Sequence, residues 1–201
     1  MYDRSKEESP LRLQKKLFRD LLYVAAMGPP GGGRNAVDPR FISLFSVFAV
    51  NFPSDESLHL IYSSILKTHV VTFHDDVQEA ATKLTPMTIR LYKELVARLP
   101  STPSKFHYVF NLRDLSRIYE GLCLSTPEKF ESAASFVRLW RNECLRVFHD
   151  RLITEGDRKI VRDELIGALI NENFPVEGKY ALEDPILFGD FRLISHEQED
   201  I

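Results

Sequence analysis

Cysteine is scarce in this sequence, and the two that occur, Cys123 and Cys144, lie far apart. Neither belongs to a CxxC pair, so the sequence offers no cysteine pattern of the kind that binds zinc or builds a disulfide framework. The six histidines show no metal-ligand spacing with cysteines or acids. We therefore expect reduced thiols, a cytosolic type of compartment and no bound metal.

A surplus of basic charge is also missing, since 26 lysines and arginines face 29 acidic residues and leave a net charge of −3. A dedicated nucleic-acid-binding protein would show a basic surplus on one face. No apolar run approaches the roughly 20 residues that span a bilayer, and the charged residues 1–10 resemble neither a signal peptide nor a transit peptide. The sequence therefore predicts neither nucleic acid nor a membrane as a partner.

A P-loop is the third absence. The sequence contains no GxxxxGK[ST] motif, in which the lysine contacts the β- and γ-phosphates and the hydroxyl binds magnesium. No predicted strand ends in paired acids, and spacing alone suggests no Ser/His/Asp or Cys/His triad. The chain by itself is therefore not expected to hydrolyse a nucleoside triphosphate.

The most informative stretch is a glycine-rich loop at residues 28–35, which follows an apolar run at residues 21–27. The run is typical of a buried strand because it is short, apolar and ended by glycine and proline. Three successive glycines permit positive φ and close approach to a ligand. Arg34 and Arg40 lie just past the strand's carboxyl end, where α/β sheets bind their ligands. These features predict an edge that faces a nucleotide.

One alternative treats this loop as a dinucleotide site. Residues 31–36 formally match the GxGxxG/A fingerprint, and Asp55 follows at about the expected ~20 residues. However, Pro39 allows only a short helix, whereas the phosphate-binding helix of such a unit crosses the whole sheet. No further βαβ units follow. A small nucleotide-binding enzyme stays a rival hypothesis that measurable dinucleotide affinity would favour.

The rest of the sequence predicts a second strand and then helices. Residues 46–52 are rich in β-branched and aromatic side chains, as is typical of a strand. A short helix is expected at residues 39–44, with Asp38 as its N-cap. Apolar periodicity predicts the longer helices, with Leu58, Ile61, Ile65 and Leu66 as the buried stripe of the first and Trp140 in the core. These longer helices cover residues 54–72, 76–99, 112–122, 126–152 and 154–173.

The predicted fold class is therefore α+β and mainly α: the end of an α/β sheet followed by a bundle of about five helices. Residues from 174 onward show no period and are interpreted as a linker or an extended edge. Because two strands do not make a stable sheet, we expect the chain to be part of something larger.

Arg113 is the candidate functional residue of the helical part. It lies in the first turn of the helix that Asn111 caps, where the helix dipole favours acidic residues. Two interpretations are open. Arg113 is either a neighbour of Asp114 on a solvated face or an anion contact that accounts for its unfavourable placement.

Three blocks of the sequence stand out: residues 25–35 with 38–41, residues 106–117, and residues 138–143 with 146–152. They closely resemble dynein heavy chains, and all three lie in the family's order and spacing. They look like the third AAA+ module of the motor ring, from the sensor I strand through the helical lid, and the tail resembles the run into the fourth module. The glycine-rich loop and the Asn-Leu-Arg-Asp of the lid resemble axonemal rather than cytoplasmic members. Residues 1–4 resemble the segment soon after the module's Walker B strand, and residues 184–191 are the part of the tail that resembles the run into the fourth module.

The resemblance implies roles for four residues. Arg113 matches the sensor II arginine of the lid, which reaches the phosphates of the module's own nucleotide. Arg40 matches the arginine finger that acts on the neighbouring module's site, and Arg34 is the second candidate for that role. Gly28 stands at the sensor I position, where AAA+ proteins often carry a polar residue such as Asn. Since glycine cannot orient a water, this departure argues against hydrolysis in this module.

The resemblance also implies domains, cofactors, partners and a location. Residues 1–53 would be the C-terminal portion of the AAA+ large subdomain, 54–173 the helical lid and 174–201 a linker toward the next module. The intact ring would bind ATP or ADP with Mg, and the neighbouring modules of the same heavy chain would be its partners. Microtubules and the dynein intermediate and light chains would be reached only through the whole motor, in the cytoplasm, the cytoskeleton and the axoneme of a cilium.

For the isolated chain, without Walker A, Walker B and the module's first strands, we expect no cofactor, no ATPase activity and no microtubule binding. Within the motor, nucleotide at this module would bias ring conformation and thereby microtubule release. The alternative from another functional class is a free-standing helical adaptor. It would bind a partner through the helices of residues 127–173, without nucleotide chemistry.

Overall fold

The computed structural model describes residues 2–3, 14–15, 19–28, 36–186 and 188. The chain divides into two compact units, Met1–Asn51 and Phe52–Ile201. The first contains little regular structure in its described residues, and the second is a helical bundle.

In the first unit, two short strands, β1 (Tyr2–Asp3) and β2 (Gln14–Lys15), pair antiparallel with Tyr2 opposite Lys15. Helix α1 (Pro39–Ile42) forms where the sequence predicts a short helix. The Asp38 carboxylate caps it by accepting a hydrogen bond from the backbone N–H of Arg40 at 2.9 Å. Proline fits this first turn because the missing N–H would have no helical partner there.

The two strands predicted at residues 21–27 and 46–52 differ from the structure, in which both runs lack strand pairing. Their apolar side chains are largely exposed, with Leu22 at 88% and Phe48 at 85%. A strand exists only through hydrogen bonds to a neighbouring strand, and no described segment of this unit supplies them. The composition of residues 21–27 and 46–52 therefore indicates a propensity for strands. Forming those strands requires backbone hydrogen bonds to a neighbouring strand, which the described part of the unit does not provide.

In its described residues the second unit contains the predicted bundle of five long helical stretches and one further short helix. The third and fourth α-helices follow their predicted bounds closely, and π-helical turns continue two of the later ones. The elements are α2 (Asp55–His69) with a 3-10 turn at Val70–Thr72, α3 (Asp75–Arg98), α4 (Leu112–Leu122), α5 (Ala133–Cys144) with a π-helical end at Leu145–His149, α6 (Glu155–Lys159), a π-helical stretch at Ile160–Gly167, α7 (Ala168–Asn173) and α8 (Gly178–Ala181).

Helix starts follow side-chain caps. Ser54 Oγ accepts from the Ser57 amide at 3.2 Å, and Thr154 Oγ1 accepts from the Asp157 amide at 3.3 Å, both at predicted starts. The prediction that a helix begins at residues 126–127 is wrong. Its start lies at Ser132, whose hydroxyl accepts from Ser135, and the adjacent amide of Ala133 donates to the distant Asp76 carboxylate at 3.0 Å.

The core lies where α5 packs against α3 and α4. Trp140 is fully buried, as predicted, and its indole N–H donates to Thr88 Oγ1 at 2.8 Å. Among the largest fully buried side chains with it are Tyr119, Phe136, Phe148, Leu84, Leu91 and Leu95.

The predicted buried stripe of α2 is only half right. Leu58 and Leu66 are buried, but Ile61 and Ile65 are 48% and 45% exposed. Tyr62 lies between the two leucines at a spacing of four, and its ring stacks on Tyr119 with centroids 4.4 Å apart. The helix therefore turns its 58–62–66 row inward, which leaves the neighbouring isoleucine row at the surface.

Part of the segment predicted as a linker is ordered. Its described residues form α8 and then pack along α5, where two arginines hold them by hydrogen bonds. Arg138 donates to Tyr180 O and Pro185 O, and the nearly buried Arg141 donates to Ala181 O at 3.3 Å and to Asp184 Oδ1 at 3.0 Å. Periodicity could not reveal this packing because it rests on side-chain-to-backbone bonds from a distant helix.

Candidate functional site

The four predicted site residues fall in different parts of the chain. Arg113 lies in the first turn of α4 in the second unit, and its side chain is exposed. In the first unit, Arg40 is exposed in α1, and Gly28 is partly buried in irregular backbone. Arg34 and the glycines beside it lie outside the described residues. The second unit therefore provides the site that can be built in detail.

Arg113 offers a free guanidinium on a fixed backbone. Its amide donates to the side chain of Asn111 at 2.9 Å, which caps the helix. Its guanidinium forms no hydrogen bond or ion pair with any other residue that the structure describes. A planar group with five N–H donors matches the oxygens of a phosphate or a carboxylate.

The structure separates Arg113 from its neighbour Asp114. Asp114 is buried at 3% exposure, whereas Arg113 is exposed. The two therefore do not share a solvated face, and Asp114 takes other partners. Its Oδ2 accepts from the Asn111 amide at 3.0 Å and from Arg151 Nη2 at 3.4 Å, and its Oδ1 lies 4.0 Å from Arg117 Nη1.

These partners explain why a carboxylate is tolerated in this buried place. A buried charge is costly unless it is paired and hydrogen-bonded. Asp114 satisfies both conditions through one backbone amide and two guanidinium groups. As the third residue of α4 it also completes a capping box with Asn111 and provides the negative charge that the helix N-terminus favours.

The backbone that leads into Arg113 is tethered at four successive residues. Each tether comes from a side chain, and three of these belong to other parts of the bundle. The Val109 carbonyl accepts from Arg151 Nη2 at 3.2 Å, the Phe110 carbonyl from the Tyr92 hydroxyl at 3.4 Å and the Leu112 carbonyl from the Tyr62 hydroxyl at 3.2 Å, while the Asn111 amide donates to Asp114.

Burial changes the chemistry of one of these tethers. Tyr92 is 7% exposed, and its ring lies parallel to that of Phe52 with centroids 6.5 Å apart. Desolvation raises the pKa of the Tyr92 hydroxyl, and the nearby negative charge of Asp114 raises it further. Tyr92 therefore stays a neutral hydrogen-bond donor at physiological pH.

A second polar cluster fixes the loop between α3 and α4. Asp157 accepts hydrogen bonds from Lys105 Nζ at 2.5 Å and from the Tyr108 hydroxyl at 2.9 Å, besides one from Thr154. Burial favours the neutral acid, but the hydrogen bonds from Lys105, Thr154 and Tyr108 outweigh it and lower the pKa of Asp157. The loop is thereby pinned to the start of α6, close in sequence to the residues that precede Arg113.

Within the described residues, no group of three or more His, Cys, Asp or Glu side chains is arranged to hold a metal ion. Cys123 and Cys144 are free thiols, and burial raises the pKa of Cys144 well above its ordinary value. None of the helices in the described part of the chain has the length and apolar character needed to cross a membrane.

Sequence reasoning missed three of the residues that build this site: Tyr62, Tyr92 and Arg151. Each reaches residues 109–114 from an element remote in sequence, so no spacing rule connects it to Arg113. The only available signal for Arg151 was its place in the block 146–152, which the sequence analysis used for resemblance and not for geometry.

Comparisons with known proteins agree on one family. Residues 62–158 match the family model described as dynein heavy chain, ATPase lid domain, and residues 1–53 match the one described as P-loop containing dynein motor region. Arg113 and all four of its tethering side chains fall within the first match.

Individual relatives are dynein heavy chains as well. The chain is 59% identical over 199 residues to dynein axonemal heavy chain 10 of Homo sapiens, which covers 99% of this chain and 4% of the relative. It is 50% identical over 199 residues to the dynein-1-alpha heavy chain, flagellar inner arm I1 complex, of Chlamydomonas reinhardtii, covering 98% and 4%. Dynein axonemal heavy chain 12 of Rattus norvegicus is 46% identical over 142 residues, covering 69% and 5%. The chain thus spans about 4% of the length of the first two relatives.

Proposed function

Because the chain belongs to the dynein heavy chain family, we propose that it is part of one AAA+ module in the motor ring of an axonemal dynein. In that ring, ATP or ADP with Mg would be bound, and the motor would act in ciliary or flagellar movement. The resemblance of residues 25–41, 106–117 and 138–152 supports the third module as its place. The neighbouring modules of the same heavy chain would be its immediate partners.

The exposed, unpaired guanidinium of Arg113 carries the proposal for nucleotide contact. It stands on a helix start whose preceding backbone is tethered residue by residue, within the match to the lid family. A preorganised guanidinium forms strong, often bidentate hydrogen bonds to phosphate oxygens. Arg113 would therefore contact the phosphates of the module's own nucleotide and make the position of the lid depend on them.

Arg40 and Arg34 are proposed to reach the neighbouring module's nucleotide. The side chain of Arg40 is exposed and forms no hydrogen bond or ion pair within the part of the chain that the structure describes. An arginine supplied across an interface stabilises the charge that develops on a transferred phosphoryl group. Gly28, at the sensor I position, has no side chain with which to orient a water, so we propose that this module binds nucleotide as a regulator and hydrolyses it poorly, if at all.

The exposed apolar runs at residues 21–27 and 46–52 fit the same proposal. Side chains such as Val24 at 86% and Val50 at 92% exposure are costly to leave in water. We propose that both runs become strands when other strands of the module's sheet lie beside them. Nucleotide state at this module would then bias ring conformation and microtubule release through the lid.

The test is Arg113→Ala in an intact heavy-chain ring that contains this segment. Loss of a hydrogen bond between charged groups costs about 1.5–3 kcal/mol, so affinity for ATP and ADP at this module should fall about ten- to hundredfold. Arg162→Ala is the matched control, since Arg162 is a partly exposed helical arginine that pairs only with its neighbour Asp163 among the described residues. Unchanged affinity in Arg113→Ala would refute the assignment.

Calorimetric titration of the purified chain with ATP and ADP separates the rival hypotheses. We expect no binding, because the Walker motifs would come from elsewhere in the ring. Micromolar binding would instead mean that this chain builds its own phosphate site, and the glycine loop would then be the first candidate for it.

A further inference from the structure

We propose that Arg151 is a positioning residue for Arg113, through which the end of α5 sets the geometry of the nucleotide contact. This inference rests on the proposed phosphate contact of Arg113. Arg151 would not touch the nucleotide itself. Its removal would instead misplace Arg113, which does.

A single nitrogen atom of Arg151 bonds to the chain on both sides of Arg113. Arg151 Nη2 donates to the Val109 carbonyl at 3.2 Å and to Asp114 Oδ2 at 3.4 Å. Val109 precedes Arg113 by four residues, and Asp114 follows it directly. One guanidinium therefore fastens the approach to α4 and the first turn of α4 to the same point, with Arg113 between them.

Arg151 is itself held firmly by its surroundings. Its guanidinium carbon lies 4.2 Å from the centroid of the Phe110 ring, a cation–π contact, and its side chain is only 27% exposed. The chain on either side is anchored in the core by Phe148, which is fully buried, and by Leu152, which is 1% exposed. A displacement of this part of the chain would therefore be passed on to Arg151 and from there to residues 109–114.

The three tethering side chains that come from other parts of the bundle differ in charge. Tyr62 and Tyr92 hold the Leu112 and Phe110 carbonyls with neutral hydroxyl groups. Arg151 is the one charged side chain among these three, and hydrogen bonds from charged groups are roughly twice as strong as neutral ones. Its loss would also leave Asp114 without one of its two guanidinium neighbours. Arg151 should thus dominate the restraint.

Positioning matters here because Arg113 acts through its geometry. A guanidinium stabilises phosphate charge only when its N–H groups face the oxygens. Misplacement of a contacting group by about 1 Å costs on the order of a hundredfold in rate where such geometry is essential. Without the Arg151 guanidinium the start of α4 should loosen but stay folded, so the misplacement of Arg113 should be smaller than this. We therefore expect about a three- to tenfold loss of nucleotide affinity.

The test is a double-mutant cycle in the intact heavy-chain ring, with ATP and ADP as probes. Arg151→Met keeps an apolar stem and removes the guanidinium. Affinity at this module should fall about three- to tenfold when Arg113 is present, and should not fall further when Arg113→Ala is already in place. Arg162→Met is the control. Within the described residues Arg162 pairs only with its neighbour Asp163 and contacts neither residues 109–114 nor the chain beside Arg151, so affinity should not change.

Arg151→Lys provides the second variant should Arg151→Met fail to fold. It keeps a positive charge beside Asp114 but cannot reproduce the planar contact on Phe110, so the same cycle should show a smaller, equally non-additive loss. Amide hydrogen exchange on the full chain gives an independent measure. Protection of the Asn111 and Arg113 amides should drop in the Arg151 variants and stay unchanged in Arg162→Met.

The outcomes separate the two hypotheses. If Arg113→Ala leaves nucleotide affinity unchanged, the proposed phosphate contact itself fails. If Arg113→Ala weakens binding while both Arg151 variants leave it unchanged, the contact stands and the positioning role is overturned. If the Arg151 variants lose the same amount of nucleotide affinity with Arg113 present and with Arg113→Ala, the positioning role is also overturned, because Arg151 would then act on the fold as a whole.

Discussion

Asp114→Ala should destabilise the chain by about 2 kcal/mol, and the structure divides that cost into two parts. The first is the capping bond from the Asn111 amide, since loss of such a cap typically costs ~1 kcal/mol. The second is the attraction to Arg151 and Arg117, which are 27% and 57% exposed. Solvent screens these pairs, so we count them together as about 1 kcal/mol.

Asp114→Asn separates the two parts. Its amide oxygen still accepts the hydrogen bond from Asn111, whereas the negative charge is lost. This variant should therefore cost about 1 kcal/mol, half of the alanine value, by the same accounting. Glu120→Ala is the control on the same helix, because Glu120 is exposed and its replacement should change stability by less than about 0.5 kcal/mol.

The measurement is urea unfolding of the full chain, followed through Trp140. The sequence contains one tryptophan, and it is fully buried in the second unit, so its emission reports that unit directly. Equal destabilisation by alanine and asparagine would show that the capping bond contributes nothing. Values below about 0.5 kcal/mol for both would refute the view of Asp114 as the residue that fastens the start of α4.

Three further predictions use the same unfolding assay or far-UV circular dichroism. Leu66→Ala should cost about 2–5 kcal/mol because its site is fully buried, whereas Ile61→Ala, on the exposed row of α2, should cost far less; equal costs would contradict the assigned face. Trp140→Phe should cost about 2 kcal/mol, since it leaves a cavity and removes the donor to Thr88, and a neutral result by circular dichroism would contradict this. Because the pKa of Asp157 is lowered in the folded chain, its contribution should be complete above its unfolded pKa of about 3.9 and be lost as pH falls through the lower folded value. The stability gap between the native chain and Asp157→Asn should therefore narrow as the pH falls below that unfolded value, and a gap that stays constant throughout the acid range would refute the assignment.

The helices of the second unit could be predicted because their signals are local. Ser54, Asn111 and Thr154 each cap a helix at the expected residue, since a cap needs only a hydroxyl, amide or carboxylate oxygen within reach of an amide two or three positions on. The late start of α5 shows the limit of this reasoning. The Ala133 amide finds its acceptor on Asp76, far away in sequence, and no local pattern contains that bond.

The runs predicted as strands at residues 21–27 and 46–52 are unpaired in the structure for a related reason. Strand propensity describes how a side chain suits a pleated surface, while the strand itself depends on a partner. No described residue provides that partner, so the apolar side chains of both runs stay exposed. The proposed place in a larger sheet would supply what propensity alone does not.

The candidate site combines a predictable residue with supports that could not be predicted. Arg113 attracted attention because a cation at a helix N-terminus costs about 0.3–1 kcal/mol. The structure shows how this helix accommodates it: Asp114, the next residue, is buried and provides the favourable negative charge, while Arg113 itself extends into solvent. The acidic residue therefore stabilises the helix start, and the basic one is left unpaired. An unpaired arginine on so firmly tethered a backbone contributes little to the fold, which is why we propose that its partner is a ligand that carries negative charge.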